Sequence, residues 1–271
     1  MPDGGVIPLT PFELSLAAAL VILLSLLTWY LRLGMGKRLI IAGIRTVVQL
    51  LLLGLVLEYL FAIAHPALVG LLAMVMLLVA GREVMARQHR PFQGIWGYSL
   101  GSMAMFISSF TITFFALQII VGPQPWYLPQ YAIPLLGMML GNTMTGVALT
   151  LDSLTQSTWQ QRAVIEQRLL LGEDWLSAIR PIVRNSLRTG LIPIINSMAA
   201  AGIVSIPGMM TGQLLAGSSP LDAAKYQILI MFMIAAGTGF AAVMACWLGA
   251  RRLFDERQRL RLERLRAPNH Q

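Results

Sequence analysis

The residues able to do chemistry in this sequence are polar side chains set inside long apolar runs. Arg45 and Gln49 stand four apart in one run. Asn142, Thr143 and Thr145 lie in another, with Asp152 near its end, and Asn196 and Ser197 in a third. A charge at bilayer depth is expensive and usually faces a partner or a hydrated cavity. Arg45 therefore either snorkels to the membrane surface, seven residues past Arg38, or meets such a partner. Asn142 and Asn196 are either interhelical hydrogen-bond glue or, with Arg45, Gln49, Thr145 and Ser197, the lining of a substrate path. Met138, Met139, Met144, Met198, Met209 and Met210 crowd the same segments, as flexible packing or as soft-metal ligands.

A second feature is an interruption. Pro207-Gly208 breaks an apolar run, and the stretch from Gly208 to Gly217 is too short to span. Ser219-Pro220 then reads as an N-cap followed by proline at the first helical position, with Asp222 in the first turn. Irregular backbone is tolerated in membranes where it lines a cavity or is buried in protein. Pro207, Gly208, Met209, Met210 and Gly212 are accordingly expected to form a gate or re-entrant element.

Other chemistry is missing. The sequence holds no Gly-x-x-x-x-Gly-Lys-Ser/Thr phosphate loop, no His-Glu-x-x-His and no Gly-x-Ser-x-Gly. Cys246 is the one cysteine, and His65, His89 and His270 are scattered without metal-ligand spacing. No enzyme activity is expected of this chain, and no cofactor or metal bound by it.

The elements that must carry these residues are membrane helices. The composition is 56% hydrophobic and 12% charged, with a mean hydropathy of +0.70. A soluble domain carries about twice that charge. The apolar blocks approach the spanning length of about 20 residues. They predict an all-α polytopic protein with about seven spans: Phe12 to Leu31, Leu39 to Leu60, Ala67 to Ala80, Ile95 to Val121, Tyr131 to Leu151, Leu187 to Ile206 and Tyr226 to Ala250. Alternating sides puts 18 of the 20 basic residues at one end, leaving only Lys225 opposite and Arg45 inside a helix. The positive-inside bias then sets the N-terminus outside and the C-terminus in the cytoplasm. The net charge of +8 is explained by that bias and not by nucleic acid. A membrane domain over 1–250 and an Arg-rich cytoplasmic tail over 251–271 are expected. Gly137-Met-Met-Leu-Gly141 with Gly146 is echoed by Gly208-Met-Met-Thr-Gly212 with Gly217, a short repeat that chance also explains.

The polar segment of about 160–190 predicts a helix–turn–helix elbow. Gly172 can end one short helix, and Glu173 and Asp174 suit the positive N-terminal end of the next. Glu166, then Gly172, then Ile182 resembles the cytoplasmic-loop pattern of ATP-binding-cassette permeases, whose coupling helix docks into an ATPase subunit. Gln167 and Arg168 depart from the two alanines usual there, and Ile182 lacks the following Leu-Pro. The pattern taken alone leaves an ordinary surface loop open. Arg180, Arg184 and Arg188 fall on one helix face, where like charges cost a few tenths of a kcal/mol each. Lipid phosphates or acidic groups on a partner would face them.

Longer motifs carry a family resemblance over nearly the whole chain. They are Ile133-Pro-Leu-Leu-Gly-Met-Met-Leu-Gly-Asn142, Ser186-Leu-Arg-Thr-Gly-Leu-Ile-Pro193, Ile203-Val-Ser-Ile-Pro-Gly-Met-Met-Thr-Gly212 and Lys225-Tyr-Gln-Ile228. The chain resembles the Fet-type iron-export permeases, which include plant aluminium-tolerance permeases. The resemblance implies the membrane half of an ATP-binding-cassette transporter in a bacterial inner membrane. It implies a permease homodimer with separate ATPase subunits that bind ATP and Mg. Glu166, Gly172, Glu173, Arg180, Arg184 and Arg188 would then couple to the ATPase. Iron or another metal leads as substrate, although plant relatives are linked to a nucleotide sugar. A non-transporting membrane scaffold for an ATPase is the rival from another class, and an ATP-independent channel the third.

Overall fold

The computed structural model describes residues 10–267; residues 1–9 and 268–271, with His270 and the outer ends of both expected regions, lie outside the described part. Ten α-helices follow in chain order: α1 (Pro11–Tyr30), α2 (Gly36–Ile63), α3 (Pro66–Ala86), α4 (Trp96–Met105), α5 (Thr111–Phe115), α6 (Pro129–Gln160), α7 (Arg162–Leu170), α8 (Trp175–Ala200), α9 (Gly208–Leu215) and α10 (Pro220–Arg252). π-helical turns at Phe106–Phe110 and Ala116–Val121 join α4 and α5 into one rod, Trp96–Val121.

Among the described residues six helices are long and apolar enough to cross a membrane: α1, α2, α3, the Trp96–Val121 rod, α6 and α10. The expected sixth span is corrected. Its helix is α8, which begins at Trp175 and stops at Ala200, so the predicted Leu187 to Ile206 is wrong at both ends. α8 carries Arg180, Arg184 and Arg188 over its N-terminal and middle turns. Residues 201–206 form an irregular turn in which Gly202 has φ +80°.

α6 and α10 form the centre, with α8, α3 and α4 packed around them. Their buried positions are mainly small or branched, such as Ala104, Val147, Ala241 and Ala245, which lets backbones approach where lipid supplies little hydrophobic drive. Buried threonine hydroxyls on α6 are satisfied within the helix. Thr143, Thr150, Thr155 and Thr158 each donate to a carbonyl one turn back, which keeps polar atoms paired without water.

The α1–α2 hairpin sits apart. Ser25 Oγ donates to the Gly36 carbonyl at 2.8 Å and closes the hairpin. α2 reaches the bundle through Leu57 and Leu60 at one end and through an Arg45–Glu83 ion pair to α3 nearer the other. The rest of α2 exposes its leucines, valines and isoleucines.

Candidate functional site

The elbow is built from local rules that all agree. α6 ends at Gln160 and α7 starts two residues later. α7 closes with a paired hydrogen-bond motif: Gly172 N–H donates to the Leu169 carbonyl at 3.0 Å, and Glu173 N–H to the Arg168 carbonyl at 3.1 Å. The motif requires a left-handed residue, and Gly172 supplies φ +91°. Asp174 then caps α8, accepting from Leu176 N–H and Ser177 N–H. A hydrogen bond from the Ser177 hydroxyl foremost, joined by those backbone bonds, holds its carboxyl below the usual range.

Arg168 locks the turn. Its guanidinium pairs with Glu173 at 2.9 Å and donates to the Ala178 carbonyl at 3.1 Å. Ile165 and Ile179 are buried on the inner side, while Leu170 and Leu171 at the tip are 87% and 85% exposed. The turn thus carries two adjacent leucines that the described residues leave uncovered. Glu166, Arg180, Arg184 and Arg188 are exposed as well, the three arginines along one face of α8.

The segment after α10 is ordered against this elbow, which the sequence did not reveal. Trp175 N–H donates to Gln258 Oε1 at 3.0 Å, and the Trp175 and Phe254 rings lie 5.7 Å apart. Phe254 pairs with Leu260, and Phe92 with Leu265, through isolated antiparallel bridges. Asp255 receives Arg259 at 2.8 Å and Arg261 at 3.1 Å. Bonds from Arg259, its backbone N–H foremost, with the Arg261 charge nearby, bring the Asp255 carboxyl down to about 2. The usable signal was Asp255, the first of two adjacent acids near the start of a basic run. A cleft of about 650 Å³ separates elbow and tail, lined by Glu166, Leu170, Gly172 and Glu173 on one side and Glu256–Leu260 on the other.

The membrane polar residues are placed less uniformly. Arg45 finds a partner, Glu83, which the sequence reading did not name. Gln49 is exposed on α2. Asn142 is exposed on α6 and donates to the Met138 carbonyl at 2.8 Å. Thr145 is half-buried and donates to Gly141, while Asn196 and Ser197 are exposed on α8. Within the bundle the buried polar seam is a different one. Ser108 Oγ donates to the Gly237 carbonyl at 2.7 Å, and Ser109 meets Thr143 at 3.1 Å. Both serines sit on the first π-helical turn, a hydrophobic-looking stretch whose backbone irregularity no residue pattern announces.

The helix break lies just ahead of the expected Pro207-Gly208. The break falls over 201–206, and Pro207 serves as the N-cap residue of α9, which carries Gly208, Met209, Met210 and Gly212. Met209 and Met138 line one pocket of about 220 Å³ with Gln213 and Tyr226, between α6, α9 and α10. Among the described residues no group of three or more His, Cys, Asp or Glu side chains comes together.

These features define a multi-pass, all-helical membrane protein of permease type, with a rigid elbow at its basic end. Residues 11–254 match the uncharacterised protein family UPF0014, and the chain belongs to that family. It is 37% identical over 241 residues to UPF0014 membrane protein slr1647 of Synechocystis, covering 88% of this chain and 90% of the relative. It is 31% identical over 266 residues to the Escherichia coli protein named probable iron export permease protein FetB, covering 95% and 97%. Protein ALUMINUM SENSITIVE 3 of Arabidopsis thaliana is 30% identical over 236 residues, covering 85% and 84%. No solved structure matches.

Proposed function

We propose that this chain is the membrane-spanning permease subunit of an ATP-binding-cassette transporter that exports iron or another metal across a bacterial inner membrane. A separate ATPase subunit, carrying ATP and Mg, drives it. The elbow carries the proposal. Its turn is fixed by Gly172, Arg168 and Asp174, and its tip offers Leu170 and Leu171 to a partner. A rigid lever that ends in exposed leucines suits docking better than it suits an ordinary loop. The name of the Escherichia coli relative supports iron as the leading substrate.

In this reading α8 is the sixth of seven spans, the N-terminus lies outside and the elbow and tail lie in the cytoplasm. Two copies pair, and the exposed faces of α6 and α8 that carry Asn142 and Asn196 become the walls of the path. Closure of the ATPases pushes the elbow, and the cavity switches sides. The test is reconstitution of this chain with its ATPase in vesicles loaded with ferrous ion. ATP-dependent loss of the ion is expected; loss that is equal with and without ATP overturns the proposal.

A further inference from the structure

A cavity of about 710 Å³ opens at the basic end of the bundle. Its walls come from the start of α4 (Trp96, Leu100), the end of α10 (Leu248, Arg251, Arg252) and the segment that follows. We propose that this cavity binds the phosphodiester headgroup of an acidic phospholipid.

Charge is the first argument. The lining includes five arginines and two carboxylates. One carboxylate, Asp255, is already taken by Arg259 and Arg261. Arg251 and Arg252 lie over the rings of Trp175 and Trp96, and Arg264 donates to the carbonyls of Arg252 and Phe254. None of these three pairs with a carboxylate among the described residues, and neither does Arg257. Guanidiniums gathered this way repel one another until an anion arrives, and their planar forks match phosphate oxygens two at a time.

The second argument separates a lipid from a free anion. The apolar wall belongs to helices long and apolar enough to span a membrane, and beside it Ile95 and Trp247 are 81% and 55% exposed. Headgroup charge and acyl chain would thus both be met, with Trp96 at the boundary where tryptophan is favoured. Basic pockets between helices at the membrane edge recognise such headgroups. An occupied site would also steady the elbow, because the same segment reaches Trp175 through Gln258.

The test uses the full chain in detergent micelles with phosphatidylglycerol, phosphatidylcholine or inorganic phosphate, read by native mass spectrometry and by thermal unfolding. Phosphatidylglycerol should be retained and should raise the melting temperature, whereas phosphatidylcholine should do neither. Arg252→Gln with Arg257→Gln should weaken retention by about tenfold, the loss expected for one or two charge-assisted hydrogen bonds. Arg257→Gln alone is the safeguard against misfolding, because that side chain makes no bond among the described residues, and it should weaken retention in the same direction. Lys225→Gln, equal in charge change to Arg257→Gln but at the opposite end of α10, should leave retention as it was. Equal retention of both lipids overturns the proposal, as does equal loss in Lys225→Gln. Stabilisation by inorganic phosphate that matches phosphatidylglycerol makes this a free-anion site and overturns it too. Release of the lipid on addition of the ATPase would assign the arginines to the protein partner instead.

Discussion

Gly190 of α8 faces Gly146 of α6 so closely that a Cβ on Gly190 would stand 2.7 Å from the Gly146 carbonyl oxygen and 1.8 Å from Thr150 Oγ1. α10 joins the same crossing, since a Cβ on Gly146 would stand 2.4 Å from Thr238 Cγ2. Gly190→Val should therefore push three helices apart, at about 1–3 kcal/mol for an overpacked core site. Gly212→Ala, with nothing within 4 Å of the added carbon, should be near neutral at that atom. Thermal unfolding of the two variants in detergent checks the contrast, and equal melting temperatures would remove the crossing as a structural constraint.

What the sequence disclosed followed the range of the physics. Gly172, Asp174, Ser219 and Pro220 were readable because caps and left-handed turns are decided within four or five residues. The apolar runs were readable because bilayer thickness fixes their length. The end of α8 was missed because residues 201–206 remain apolar after the helix stops. Glu83 was missed as the partner of Arg45 because it lies 38 residues away. The tail was read as a basic extension because its seven arginines mask Asp255, whose partners become evident only when the chain turns back. Asn142 and Asn196 showed their polarity but not their surroundings, since both are exposed on the single chain.

The orientation can be tested by thiol labelling. Gln124 and Gln161 are both exposed, on loops separated by α6, while Cys246 is buried and contributes little background. In intact cells Gln124→Cys should react with an impermeant reagent, and Gln161→Cys only after permeabilisation. Equal reaction of both before permeabilisation would reject N-out, C-in.

Substrate passage should depend on Asn142 and Asn196. Both are exposed, so truncation leaves no hole in the core, and Asn142→Ala and Asn196→Ala should melt within about 0.5 kcal/mol of the parent. Transport in the reconstituted system should nevertheless fall several-fold. Parental rates and selectivity in both variants would take these residues out of the path.

Docking of the tail should resist acid until unusually low pH. Asp255 has its carboxyl lowered to about 2, so its contribution is full above the unfolded value of about 3.9 and is lost as pH falls toward 2. Hydrogen exchange over residues 255–261 should stay slow from neutral pH to about 4 and quicken below it, after correction for intrinsic rates. Asp255→Asn should exchange faster throughout and lose that pH dependence. A transition near pH 6 would point to a different group.

The elbow offers the most direct test of the proposed function. Gly172 occupies the left-handed region, and a β-branched replacement there should cost about 1–2 kcal/mol of local strain. Gly172→Val should therefore loosen the turn, while the spans, which do not depend on it, still insert. Leu170→Asp should act without any strain, because that side chain is 87% exposed and holds nothing together in the isolated chain. Both variants should insert and dimerise like the parent, yet lose most of the co-purifying ATPase and of its stimulated hydrolysis. Glu166→Ala is expected to do the same more weakly, since an exposed charge at the rim of a contact changes encounter more than hold. The comparison separates shape from surface: loss in Gly172→Val alone means that the turn's geometry matters, and loss in Leu170→Asp alone means that its tip is the contact. If all three variants retain the partner and full hydrolysis, the elbow is an ordinary loop. Coupling would then have to run elsewhere, and the Arg82 to Arg90 connection, whose Arg90 stacks on Trp159 at 4.0 Å, is the next surface to mutate.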